Sequence, residues 1–321
     1  MSKAFDLSQV VRGRGITADL SGFRNKIING EFEIAQRGTL FNISTGTAGY
    51  TLDRWLINNQ LDAAVTVQKG PLTPGQTDVP GGDSAFLGLS PGSTPSSGSL
   101  YASQLIEDVS RLAGKRVTVT AYARLPHGST GEMYLGQIFG TGGSSTVYPE
   151  SLVKVINTGE RLAKVQAVFD IPTITGKILG IGHCTELAFK FDLRTPAPEN
   201  SVYLAHISLV EGDATAEDDP FSPRHIQQET ALCQRYYELV VGGYSGDTVS
   251  GSAYRGYIWP AVAKRAAPTI LWHSAQAVFR FPGSVTIAGT TPLGAAAIEA
   301  VAGSSGNGSY FTHAIAFDAE L

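Results

Sequence analysis

The sequence predicts a mainly-β protein built as an N-terminal arm followed by two β-sandwich domains, and three observations predict it. The chain has 321 residues, long for one compact core and suited to two domains. Only 16% of residues are charged, whereas 37 glycines and 16 prolines supply turns in quantity. Hydrophobic segments alternate with a period of two and are separated by Gly/Ser/Pro-rich stretches, the pattern of half-buried strands. Fourteen phenylalanines and twelve tyrosines against two methionines fit a pleated surface better than a helical one.

Residues 1–26 form the arm. Lys3, Arg12, Arg14, Arg24 and Lys26 outweigh Asp6 and Asp19, and Gly13 and Gly15 interrupt any helix. An arm that orders on a partner and a frayed terminus both fit this composition. The first domain is expected over 27–212. Its clearest strand is 116–124, in which Val117, Val119, Ala121 and Ala123 share one face. Further strands are expected at 63–68, 99–106, 165–171, 187–191 and 202–207, with turns at 73–83, 90–98 and 140–146.

Acidic residues and prolines over 213–223 predict an exposed linker. The second domain, 224–321, opens on a helix whose Ile226, Thr230, Cys233 and Tyr237 fall on one stripe. Strands follow at 253–259, 269–272, 277–281, 284–287 and 310–318. This domain reads as a smaller sandwich with the helix packed on one edge.

Charge and motifs exclude several classes. A net charge of −4 does not recruit nucleic acid or an anionic membrane. No 18-residue apolar run predicts membrane insertion, and the N-terminus lacks the apolar core of a secretory signal. Synthesis in a reducing bacterial cytoplasm follows, with Cys184 and Cys233 as buried free thiols in preference to a disulfide. The six histidines are dispersed, with no HExxH pair, and neither a GxSxG elbow nor a phosphate loop occurs. The sequence therefore predicts a protein that is not an enzyme.

A resemblance adds to this reading. Residues 25–38 (NKIINGEFEIAQRG) followed by 49–55 (GYTLDRW) resemble the openings of phage tail-fibre and prophage virion proteins. The strand 112–124 (LAGKRVTVTAYAR), the closing strand 202–212, the helix 229–237 (ETALCQRYY), 265–269 (RAAPT) and the ending 318–321 are similar to further motifs of that family. The first domain is similar to galactose-binding-like jelly rolls among carbohydrate-binding modules. The resemblance implies a virion component, a homotrimer that contacts host-surface polysaccharide. It also implies that Phe5, Leu7, Val10, Arg12 and Arg14 dock the arm to other tail proteins. The other readings are a collar or capsid-decorating protein without a receptor role and a glycan depolymerase.

Site residues follow from residue type. Tyr148, Tyr244 and Tyr254 lie beside glycine-rich turns and are the candidate carbohydrate contacts, the latter two flanking the polar loop 245–253. Glu31 and Glu33, two apart on an expected strand, are weak candidates for a structural calcium; solvated edge charges explain them more simply. No other cofactor is expected. Asp53-Arg54-Trp55 reads as an ion pair and a core indole in preference to a sugar platform.

Overall fold

The computed structural model describes residues 24–81, 85–126, 129–148, 153–156, 161–193, 201–281, 286–290 and 296–321. The docking candidates Phe5, Leu7, Val10, Arg12 and Arg14 lie outside the described residues. The chain divides into two compact units, one running to Ile226 and one spanning Gln227–Glu320. No helix is long and apolar enough to cross a membrane among the described residues.

The first unit is a β-sandwich of the jelly-roll kind. Its strands are β1 (Leu40–Ile43), β2 (Thr47–Tyr50), β3 (Leu56–Asn59), β4 (Val65–Pro71), β5 (Ala85–Pro91) and β6 (Leu100–Glu107). After a 3₁₀ turn at Val109–Arg111 come β7 (Arg116–Arg124), β8 (Thr130–Ile138), β9 (Val153–Ile156), β10 (Ala163–Asp170), β11 (Cys184–Asp192) and β12 (Val202–Glu211). One sheet has the order β1-β4-β5-β12-β7-β10 and the other β2-β3-β6-β11-β8-β9, with antiparallel pairing. Alternation decides what each face does. In β7, Val117, Val119, Ala121 and Ala123 enter the core as their spacing predicts. They meet Leu187, Phe189 and Phe191 of β11 and Met133 and Leu135 of β8 in one continuous cluster.

The segment 24–37 belongs to neither sheet, yet Asn25, Ile27, Asn29, Phe32 and Ile34 are buried. Buried backbone without a sheet must find other partners. Here amide side chains supply them. The Asn25 carboxamide accepts from the Ile27 and Leu209 N–H groups and donates to the Ile207 carbonyl. Gln104 bonds both the N–H and the C=O of Ile28. Asn29 ties Ile34 to the Asp53 carbonyl, and the Trp55 indole N–H donates to the Asn29 carbonyl at 3.0 Å. Trp55, with no exposed surface, packs at 5.1 Å from the Phe32 ring and 6.5 Å from Phe189. Gly30 is required by space, because a Cβ there would stand 2.2 Å from the Ile207 carbonyl oxygen.

The Asp53-Arg54-Trp55 motif is therefore structural, with different bonding from the expected ion pair. Asp53 accepts from the Gln36 N–H and side chain, both at 2.6 Å, and Arg54 donates to the Leu105 carbonyl. Burial raises the Asp53 carboxyl above its usual range, opposed by the Gln36 bonds.

Glu31 and Glu33 lie in this irregular segment and not on a strand, so they do not share a strand face. Glu31 faces His206, while Glu33 is exposed and its carbonyl accepts from Lys69 at 2.6 Å. Among the described residues no group of three or more His, Cys, Asp or Glu is placed to hold a metal. The stretch expected as a linker is packed on this unit: Ala214 is buried, and Asp219 bonds His206.

His206 sits in the β-bulge of β12 between Ala205 and Ser208, at φ 50°. The bulge re-aims its ring. Nδ1 lies 3.1 Å from Glu31, Nε2 lies 3.1 Å from Asp219, and the Phe221 ring stacks at 4.1 Å. Burial alone would lower the pKa of His206, but the two carboxylates outweigh it and raise the value to about 9. Asp219 is lowered, its bonds to His206 outweighing burial.

In the second unit, α1 (Ile226–Gln234) precedes β13 (Tyr237–Thr248), β14 (Ala253–Ile258), β15 (Thr269–Phe279), β16 (Thr286–Thr290), β17 (Ala296–Val301) and β18 (Gly306–Asp318). They form two three-stranded sheets, β13-β18-β15 and β14-β17-β16. The core includes Ile298, Phe311, Ile315 and Phe317. The helix is shorter than its expected stripe. Cys233 is buried, Ile226 is exposed, and Tyr237 already belongs to β13. Both cysteines are buried and free. The Lys264 ammonium and Glu238 carboxylate form a buried pair, which fixes the 262–268 loop through the Gln234 carbonyl and the Ala261 N–H.

Two outcomes follow. Trp55→Phe removes one of the two donors to the Asn29 carbonyl, leaving the Phe32 N–H, and shrinks a buried ring, and should lower stability by about 1–3 kcal/mol in urea unfolding. The folded pKa of His206 lies above its reference value of 6.5, so its contribution is fully present below about pH 6.5 and lost as pH rises through about 9. That of Asp219 is present above its reference value of 3.8 and lost as the pH falls below it. Stability should thus decline by on the order of 3 kcal/mol from pH 6 to pH 10. In His206→Asn, which tolerates the positive φ, that decline should disappear from the unfolding curves.

Candidate functional site

The outer face of the β2-β3-β6-β11-β8-β9 sheet carries a groove of about 530 Å³. Register explains its composition. On β11, Leu187 and Phe189 point into the core, which turns Glu186, Ala188 and Lys190 outward. Ala188 pairs with Ser103 of β6 and with Tyr134 of β8, while Tyr101 of β6 pairs with Asn58 of β3. These outward residues other than Lys190, with Leu56 and Gln60, line the groove. Small Ser103 and Ala188 form its floor, and both are buried. Tyrosines stand higher, with Tyr101 and Tyr134 half-buried and Tyr148 54% exposed.

Tyr148 reaches the groove from the loop after β8. The bridge between Gln137 and Val147 folds that loop back along the strand. Its ring then rests over Gly136, where a Cβ would come within 2.7 Å of Cε1. Tyr134 meets it edge-on at 6.4 Å and 71°. The Tyr134 hydroxyl donates to Glu132, whose carboxylate also holds the Lys190 ammonium at 3.2 Å. That trio sits beside the groove and orients the Tyr134 ring.

Charge is sparse. Glu186 is the one carboxylate in the lining, and neither Lys, Arg nor His lines the groove among the described residues. Burial raises the Glu186 carboxyl above its usual range, and a hydrogen bond with Ser103 opposes the shift. Burial also raises the Tyr148 phenol, with smaller contributions from Glu186 and Tyr101. The groove thus offers aromatic walls, amide and hydroxyl groups, and one acid. Such a surface can stack on the apolar faces of a ring and bond its hydroxyls.

The structure places the three candidate tyrosines differently. Tyr148 lines the groove. Tyr244 and Tyr254 pack against each other at 4.9 Å and against Phe281 at 6.1 and 6.0 Å, joining the core of the second unit. Their hydroxyls serve the adjoining turn: Tyr244 donates to the Asp247 carbonyl, and Tyr254 accepts from the Val249 N–H. They do not form an exposed platform at a loop tip. The 245–253 stretch is also less of a loop than expected, since β13 continues through Thr248. Tyr257 and Trp259 are the exposed aromatics of that region. Sequence reasoning missed Tyr101, Tyr134 and Glu186. The outward positions of β6, β8 and β11 are the signal that identifies them.

No family model matches the chain, and no curated protein matches it. Among solved structures it is similar to the enzymatically active domain of tailspike protein 4 of bacteriophage CBA120. Identity there is 15% and the TM-score 0.38, over 60% of this chain and 22% of that one. It is also similar to a Stig cyclase from Fischerella sp. TAU, with 12% identity, a TM-score of 0.37, and coverage of 57% and 94%. A third is the CBM22-1 xylan-binding domain from Paenibacillus barcinonensis, with 14% identity, a TM-score of 0.30, and coverage of 53% and 92%.

Proposed function

We propose that the protein is a non-enzymatic component of a phage virion, a tail fibre or spike whose first unit binds host-surface glycan in the groove. The observation that carries the binding reading is the set of Tyr101, Tyr134 and Tyr148 around a floor of small and polar residues. Sugar rings present apolar C–H faces and equatorial hydroxyls, and tyrosines beside Asn58, Gln60 and Ser103 meet both needs. Hydrolysis would need two carboxyl groups facing each other across the scissile bond, and among the described residues the lining offers Glu186 alone. The virion role rests on the ordered motifs over residues 25–55, 112–124 and 229–237 and on the docking arm. In this reading the protein is a homotrimer that resides in the particle. A collar or decorating protein without receptor activity is the second reading, favoured if the groove is idle.

The test is calorimetric titration of the full chain with surface polysaccharide fractions of the host, with reducing ends assayed in the same samples. Saturable binding without new reducing ends is the expected result. Tyr148→Ala should weaken it about tenfold. Gly136→Ala should weaken it severalfold by unseating the Tyr148 ring, with little change in unfolding midpoint. Absence of binding by a well-folded chain leaves the collar or decorating reading.

A further inference from the structure

We propose that Glu186 makes the groove selective for uncharged glycan segments and excludes acidic ones, those bearing uronate, sialate, phosphate or sulfate at the bound rings. The inference rests on the glycan-binding reading and assigns its ligand class. Three observations carry it. Glu186 projects from the central strand β11 opposite Gly136, over which the Tyr148 ring rests, and lines the groove with Tyr148 and Ser103, so a bound chain passes over it. No cation lines the groove to offset it among the described residues. The nearest lysine along the same strand face, Lys190, is committed to Glu132 and Tyr134.

A second anion in contact with a partly desolvated carboxylate meets repulsion that water screens poorly. At a separation of about 5 Å it corresponds to roughly ten- to hundredfold in affinity. An uncharged sugar meets an acceptor for its hydroxyls at the same position. Ser103 on the neighbouring strand is small and buried, and Glu186 lines the groove beside it, only partly buried. The groove therefore reads charge at one point and shape elsewhere.

The test uses the polysaccharide fraction that binds and the same fraction with its primary hydroxyls oxidised to carboxylates, titrated into the full chain at about pH 8, above the carboxylate range. The expected result is a bound fraction of neutral sugars, with oxidation weakening it ten- to hundredfold. Glu186→Gln keeps the size and removes the charge, and should restore most of the affinity for the oxidised chain. Oxidised and parent chains binding the wild type equally would overturn the proposal. So would a Glu186→Gln protein with an unchanged ratio, because the loss would then come from the missing hydroxyls. Failure of every fraction to bind the folded wild type would sink the glycan reading itself, an outcome separate from either of these.

Discussion

The first unit depends on how one irregular stretch of backbone, 24–37, satisfies its polar groups while buried. A strand would have handed this task to a neighbouring ladder. This stretch borrows Asn25, Asn29, Gln104 and the Trp55 indole instead. Each of these bonds adds little net stability, whereas a missing one would leave a buried group unpaired at about 1–3 kcal/mol. The polar residues of the segment are thus as constrained as its apolar ones. This is the physical content of the NKIINGEFEIAQRG and DRW motifs: they specify a closure of the sandwich, not a ligand site.

That closure also fixes what the sheets can offer. With Phe32 and Trp55 packed against Phe189, the inward side of β11 is committed to the core. Alternation then sends Glu186 and Ala188 to the other side, Ala188 between Ser103 and Tyr134 and Glu186 opposite Gly136. The groove is in this sense a by-product of core packing: once the inner register is set, the outer residues have fixed positions and only their identities remain to be chosen. Tyr148 is the exception, since a loop delivers it and a glycine seats it.

Much of the fold was legible, and the parts that were not have separate physical causes. The strand 116–124 was readable to the residue because Val and Ala alternate with Thr over nine positions. By contrast the outward positions of β8 include Glu132, Tyr134 and Gly136, and its inward set opens on Gly131, residues that dilute the strand signal. The short strands β1, β2 and β3 were lost for lack of length. Expected strands at 269–272 and 277–281 are one strand, β15, whose bulges broke the alternation. Of the three tyrosines singled out in the sequence, Tyr148 lines the groove. Tyr244 and Tyr254 looked like tip residues because glycines surround them, but in β13 and β14 those glycines let strands and rings approach closely. At Gly242 a Cβ would press on Ile258.

The closure carries a mechanical consequence. Arg224, near the end of the first unit, donates to the carbonyls of Asn25 and Ile27, and Arg24 pairs with Glu217. The chain thus enters and leaves this unit at one clasp. Tension applied between residue 24 and residue 226 is borne across that clasp by a few charged bonds. The next bonds along the arm, from Gln104 to Ile28, belong to β6, so once the clasp has opened a pull reaches a strand that lines the groove.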